Sequence, residues 1–352
     1  MTKKRVFSML LVVAMMTALL AGCGNDKAGN EPSKDADDGK VYTLTMSHHD
    51  PSTSVNAIAM EEWAADVEKA TNGRVKIDIH AGAVLGAPAD GLEMLSGGMC
   101  DILWTTTGFF SGQFPYTEIF QVPMLGIETS TQGTDLFWDL YEKYPEAYET
   151  EYEDYKLLVM YASPTSVIGT NKSVETVEDM AGLRLRCVSG PLSEVCLEWG
   201  AVPTGMPPAD IYTSVEKSVL DGYMFEWGGI KSYNLSEVVT SFLDVQAFVN
   251  PLFIMMNKDV WVELPADIQE QIASVSMREG SLKFAAVSDE FSAESIAETN
   301  EAGIPIVKPE GEALEGFRVG ADKVAANWVA NLTTDTVDAQ AIYDTAKEIL
   351  GG

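Results

Sequence analysis

The sequence predicts an α/β protein of two lobes, each a sheet flanked by helices. Short apolar runs alternate with amphipathic stretches from residue 41 to about residue 249, and the alternation restarts near residue 164. Two blocks, 41–163 and 164–249, therefore each repeat a strand–helix grammar, which specifies three layers around mostly parallel sheets. A third observation is the long run after Pro265, which holds no proline until residue 305.

In the first block YTLTMS (42–47) reads as a strand. Met60, Trp63, Val67 and Ala70 then fall at helical steps, and Asn72-Gly73 supplies a stop. Val75, Ile77 and Ile79 alternate as a strand does. A helix is expected from Pro88 to Gly98, a strand at DILWTT (101–106), helix around 129–150 and a strand at KLLVMYA (156–162). The second block reads as strand 182–188, helix 192–200, strand 201–206, helix from Pro208 to Leu220 and strand 222–227. FIMMN (253–257) returns the chain to the first lobe. From Leu264 to about Asn300 the spacing of Ile268, Ile272, Val275, Leu282 and Ala286 predicts one helix about 50 Å long, with a break near Gly280 as the alternative.

The start of the chain reads as an export label. Lys3, Lys4 and Arg5 precede an apolar run from Val6 to Ala21, shorter than the roughly 18 residues of a membrane span. Residues 1–22 are thus expected to be a signal peptide. Leu20-Ala21-Gly22-Cys23 resembles the lipobox of bacterial lipoproteins, which implies cleavage before a lipidated Cys23. Residues 24–40 lack any large apolar side chain and read as a flexible tether. The folded part is then expected outside the cytoplasm, meeting the membrane only through the lipid.

Composition narrows the function. With 53 acidic and 23 basic residues the formal charge is −30, which disfavours nucleic acid and anionic lipid as partners. Three histidines and four cysteines leave little material for a metal or thiol enzyme. No Gly-Lys-Ser/Thr follows the glycines of GAVLGAPADG (82–91), and GFFSG (108–112) is no nucleophile elbow. Cys187 and Cys196 admit a disulfide; buried thiols are the alternative for these and Cys100. Glu61-Glu62 and the acids from Glu149 to Asp154 read as solvated helix faces.

His48-His49-Asp50 follows the first strand, where loops line the crevice of open α/β sheets. Pocket lining, a plain loop and a metal cluster are the three readings, and adjacent histidines diverge too much to favour the last. Arg184 and Arg186 alternate on a strand and leave by one face. Each is open to two readings: an internal salt bridge, or a planar fork for a carboxylate.

TVEDMAGLRLRCVSG (176–190), GAVPTGMPPADIYTSVEKSVLDG (200–222) and NLSEV (234–238) together resemble the DctP-type solute-binding proteins of TRAP (tripartite ATP-independent periplasmic) transporters. TNGRVKIDIHAGAVLGAP (71–88) and NKDVWVELPADIQ (257–269) extend the resemblance through most of residues 42–300. It implies a two-lobed, type II-like periplasmic-binding-protein fold with a long helix spanning both lobes, and no enzyme. Lobe I would comprise 41–163 and about 250–300, lobe II 164–249, with 301–352 packing across both. The resemblance makes Arg186 the clamp for a ligand carboxylate and leaves Arg184 a variable position. It places Phe225, Glu226 and Trp227 near the ligand. In some relatives a Glu-Trp pair at this point helps hold a metal ion bridging to the ligand; here no cofactor and no metal is expected, Glu226 being the one residue open to that role. His49, Thr107 and Phe109 are expected to complete the enclosure from the first lobe. Thr165 and Ser166 stand where many relatives carry another arginine, which points to a monocarboxylate with an apolar or aromatic body. The expected partners are that acid and integral-membrane TRAP permease subunits. An ABC-importer or sensor binding subunit, or a secreted α/β hydrolase, are the alternatives.

Overall fold

The computed structural model describes residues 39–188 and 190–351. The expected signal peptide, Cys23 and the tether lie outside the described residues, apart from Gly39 and Lys40.

Strands β1 (Tyr42–Ser47), β2 (Val75–His80), β3 (Ile102–Thr106) and β4 (Tyr155–Ala162) begin a first sheet. The chain then lays down β5 (Ser166–Thr170), β6 (Arg184–Arg186), β7 (Val202–Thr204), β8 (Gly222–Glu226) and β9 (Ser241–Leu243) in a second. It returns to the first with β10 (Pro251–Asn257) and adds β11 (Ile306–Val307) to the second. The orders are β2-β1-β3-β10-β4 and β11-β9-β5-β8-β6-β7. Both sheets are mixed rather than mostly parallel: β10 runs antiparallel to β3 and β4, and β5 antiparallel to β8 and β9. β10 and β5 are the strands entered just after the chain changes sheets, so no crossover helix constrains their direction.

The helices cover both faces. α1 (Val55–Ala70) buries Met60, Trp63 and Val67 against β1 and β3, and α2 (Gly91–Ser96) continues a short 3₁₀ turn at Pro88–Asp90. α3 (Ser130–Lys143) and α4 (Pro145–Glu151) replace the single expected helix, because Pro145 lacks the N–H that would continue the first. Their apolar side chains meet Leu103, Met160 and Phe253 on the other face of the sheet. Strands β3 and β4 are consequently buried nearly throughout, on both faces of the sheet. Glu151 is no solvated side chain: its carboxylate accepts from the Thr117 hydroxyl at 2.6 Å, and burial lifts its pKa to about 8. In the second sheet Leu185, Met224 and Ile168 face α5 (Pro191–Glu198), while Val167, Tyr223 and Phe225 face α6 (Ile211–Glu216) and α7 (Trp227–Ser232).

After α8 (Lys258–Glu263) the long helical segment runs over 266–301 with one interruption. α9 (Ala266–Ser274) stops at Val275, and α10 (Met277–Glu301) starts from a residue at φ 50°. The break thus falls shortly before Gly280, as the alternative reading has it. Gly280 is what the break requires, since a Cβ there would lie 2.5 Å from the Val275 carbonyl oxygen. The interruption also resets the helical phase. Ala286, on the expected apolar face, is exposed, and the buried stripe instead holds Ser281, Ser288, Ser292, Ser295 and Thr299 beside Phe284 and Ala285. Phe284 belongs to the first-lobe core and Ile296 packs on the second, so α10 spans both lobes over about 37 Å.

α11 (Gly311–Leu332) also crosses: Phe317 and Val324 enter the second-lobe core, Ala325 and Trp328 the first. α12 (Ala339–Ile349) packs Ile342 and Ala346 onto the first lobe. Among the described residues no helix is long and apolar enough to cross a membrane.

Candidate functional site

Two backbone segments carry the chain between the sheets side by side. Ser163 donates its N–H to Asn250 (2.7 Å) and Ser166 to Phe248 (2.8 Å), and the Ser163 hydroxyl accepts from the Asn250 N–H (2.8 Å). The pair forms a two-stranded connection between the lobes.

Arg186 sits at the end of β6 on the cleft side and is 1% exposed. Its Nε donates to the Met206 carbonyl at 3.2 Å, Nη1 reaches the Met224 carbonyl at 3.5 Å, and the guanidinium lies 4.9 Å over the Phe225 ring. Among the described residues it forms no ion pair, and its Nη2 has no acceptor. Burial pulls its pKa down to about 10, opposed by Glu226, Cys187 and Tyr233. Arg184, two residues earlier, is exposed and forks onto Asp221 with bonds of 2.9 and 2.8 Å. One arginine of the strand is satisfied within the protein and the other is not.

The first lobe meets Arg186 with the loops after β1 and β3. His49 stacks on Trp104 at 4.9 Å and meets the edge of Phe109 at 5.1 Å. Burial lowers the pKa of its imidazole, Asp50 opposes this, and the nearby Arg186 charge acts in the same sense as burial. Asp50 accepts from Asn56 and from the Tyr233 hydroxyl, both at 2.9 Å. Tyr233 follows α7, so this bond joins the lobes. It ends a chain in which Trp104 donates to Tyr161 (3.1 Å) and Tyr161 to Asn56 (2.7 Å). Beside it Glu226 is raised to about 7, first by burial and further by Asp50; backbone N–H groups and Arg186 hold it from rising more.

Thr107 and Ser166 are fully buried, and neither hydroxyl has a partner among the described residues; the same holds for the hydroxyl of Thr106. Ser166 lies opposite Glu226 in the β5–β8 pair. A cavity of about 340 Å³ is walled by Pro88, Gly108 and Phe109 from one lobe and by Cys187, Val188 and Met206 from the other, the last giving its carbonyl to Arg186. Gly108 lets the lobes meet here, since a Cβ on it would stand 2.7 Å from the Cβ of Val188.

Arg186, His49, Phe109, Glu226 and Phe225 are therefore brought together, with Phe225 beneath the guanidinium rather than beside the cavity. Trp227 is held apart: it is 4% exposed and stacks on Phe242 in the second-lobe core at 4.9 Å. It opens α7 instead of ending β8, which turns its ring from the cleft. Tyr233, Asn56, Val188 and Met206 were not singled out from sequence. Val188 and Met206 stand in the quoted motifs, but the contribution of Met206 is a backbone carbonyl that side-chain chemistry does not announce. Cys100, Cys187 and Cys196 are free and buried, as the thiol alternative has it.

Set against known proteins, residues 46–331 match the family model described as bacterial extracellular solute-binding protein, family 7. A TRAP periplasmic solute binding protein from Desulfovibrio salexigens is 27% identical and superposes with a TM-score of 0.76, covering 88% of this chain and 95% of its own. A TRAP solute binding protein from Rhodoferax ferrireducens, solved with copurified benzoate, is 22% identical with a TM-score of 0.81, over 88% and 98%. A solute-binding protein of Verminephrobacter eiseniae is 22% identical over 267 residues, 75% of this chain and 79% of the relative. With the match running from β1 to the end of α11 through both lobes and the cleft between them, the chain belongs to the family 7 bacterial extracellular solute-binding proteins, the solute receptors of TRAP transporters.

Proposed function

We propose that this chain captures a small organic monocarboxylate with an apolar or aromatic body between its lobes and delivers it to an integral-membrane permease. The observation that carries this is Arg186, a buried guanidinium on the cleft wall without an ion pair of its own. An anionic ligand supplies that partner, and with water excluded a charge-assisted pair contributes on the order of a few kcal/mol. Thr107 and Ser166 offer hydroxyls to the carboxylate or to a polar substituent. Phe109, Val188 and Met206 enclose the apolar body, and His49 covers it as a neutral ring. Phe225 supports the guanidinium from below; Trp227 fixes the start of α7. A cation at Glu226 is the less favoured arrangement, since among the described residues no three His, Cys, Asp or Glu side chains gather to hold one.

Binding shifts the lobes toward the closed form because only there does the ligand touch both walls. The closed surface is what the permease reads. In this proposal a lipid on Cys23 and the tether to residue 40 hold the receptor outside the cytoplasm at the membrane.

A thermal-shift screen against aliphatic and aromatic carboxylates tests the reading. A binder at 100 times its Kd adds about 2.7 kcal/mol of stability. The acid that shifts wild type is expected not to shift Arg186→Ala; affinity within threefold of wild type in that variant would overturn the clamp.

A further inference from the structure

The cavity between the lobes is larger than a one-ring acid requires, and its walls are apolar. Ten described residues line it, none of them charged, and only the Cys187 thiol among their side chains can donate a hydrogen bond. Such walls offer water few partners and favour hydrocarbon. An apolar cavity of about 150 Å³ takes up one benzene ring. At about 340 Å³ this one has room for a ring and several further carbons.

Its shape follows from a repeat in the chain. Pro88-Ala89-Asp90 precedes α2 in the first lobe, and Pro208-Ala209-Asp210 precedes α6 in the second. Both are single 3₁₀ turns, entered from Ala87 at φ −68° and ψ 150° and from Pro207 at φ −58° and ψ 147°. Residues 87–89 of one lobe and 205–207 of the other line the same cavity, so equivalent turns of the two lobes flank it. Ala87, Ala89, Gly205 and Pro207 are exposed, whereas Gly108, Cys187 and Val188 are buried. The cavity therefore runs from a buried floor to a mouth between two proline-stiffened turns. Its floor and wall are tied to the clamp: Cys187 follows Arg186 in the chain, and the Met206 carbonyl accepts from Arg186 Nε at 3.2 Å.

We propose that the ligand is an elongated monocarboxylate, its carboxylate at Arg186 and an apolar body longer than one ring reaching toward the mouth between the two Pro-Ala-Asp turns. The inference rests on the role proposed for Arg186 and adds the length and character of the body. Each methylene fully enclosed raises affinity about fourfold. The stiff turns have little freedom to lose on binding, so most of that gain is kept.

Isothermal titration of two pairs of acids tests this: benzoate with para-butylbenzoate, and butyrate with octanoate. In at least one pair the longer acid is expected to bind tenfold or more tightly than the shorter. Ala89→Gln, an exposed substitution at the mouth, should cut that ratio at least threefold. A smaller gain with length in both pairs, or a ratio that Ala89→Gln leaves intact, overturns the elongated ligand and leaves the clamp standing. If none of the four acids binds, the reading of Arg186 fails and this inference with it.

Discussion

The two arginines of β6 stand two residues apart and meet opposite fates. Arg184 projects at the solvent end, where the Asp221 carboxylate takes two of its N–H groups and the Ser218 carbonyl a third at 2.9 Å. Arg186 projects at the cleft end, buried, with two carbonyls and an aromatic face but no ion pair among the described residues. A buried cation left short of acceptors is costly unless something else completes it. The contrast teaches that one charge belongs to the fold and the other to what the fold receives.

The strongest way to break the comparison is to remove each arginine in turn. Arg186→Ala is expected to lower carboxylate affinity about a hundredfold, since it deletes a charge-assisted pair of roughly 3 kcal/mol. Isothermal titration reads this directly, and the interpretation fails if Arg184→Ala costs as much. Gly108→Ala should rank second. Its Cβ would press on Val188 across the cleft, so affinity is expected to fall about tenfold. X-ray scattering should then find the liganded variant larger than liganded wild type.

Tyr233→Phe sharpens the picture of the cleft end. It removes the inter-lobe bond to Asp50, and a hydrogen bond to a charged group is worth about 1.5 kcal/mol or more. An affinity loss of about tenfold or more with little change in association rate is expected; stopped-flow kinetics distinguishes this from a defect in capture.

The two ends also differ in pH response. Glu226 titrates near 7 in the fold against an ordinary 4.5, so between those values the native chain holds a proton that the unfolded chain has released. Its contribution to stability therefore falls as pH rises through that window. Asp221 is depressed below its ordinary 3.8, first by Arg184, so its contribution is present above that value and lost as pH falls through the depressed one. Denaturation of Glu226→Gln against wild type should show a smaller decline from pH 4.5 to 7, and Asp221→Asn should be less stable than wild type at neutral pH with the difference closing in acid. The smallest effect is reserved for Arg184→Ala, with affinity within about twofold of wild type, because exposed pairs are screened by water.

Much of the architecture was legible because it depends on local pattern. The apolar runs at 42–47, 156–162 and 253–257 became strands within a residue or two, and Met60, Trp63 and Val67 became a buried helix face. Where the pattern failed, a distant contact had intervened. The serine stripe of α10 carries no hydrophobic signal, and it is buried because two lobes close on a helix whose phase was reset at Val275. Trp227 looked like a binding aromatic from its neighbours in sequence, yet the turn into α7 stacks it on Phe242. Tyr233 looked like nothing, and it spans the cleft.

The amino-acid order alone determined the strand–helix alternation, the acidic surface and the presence of two arginines on one face of one strand. These follow from side-chain period and charge, which neighbouring residues settle. Which arginine keeps its charge free was decided only by tertiary structure. Asp221 reaches Arg184 because β8 pairs beside β6, and Arg186 is buried because a second lobe folds over it. Counter-charges and desolvation depend on distance in space, and that distance exists only once the chain has folded.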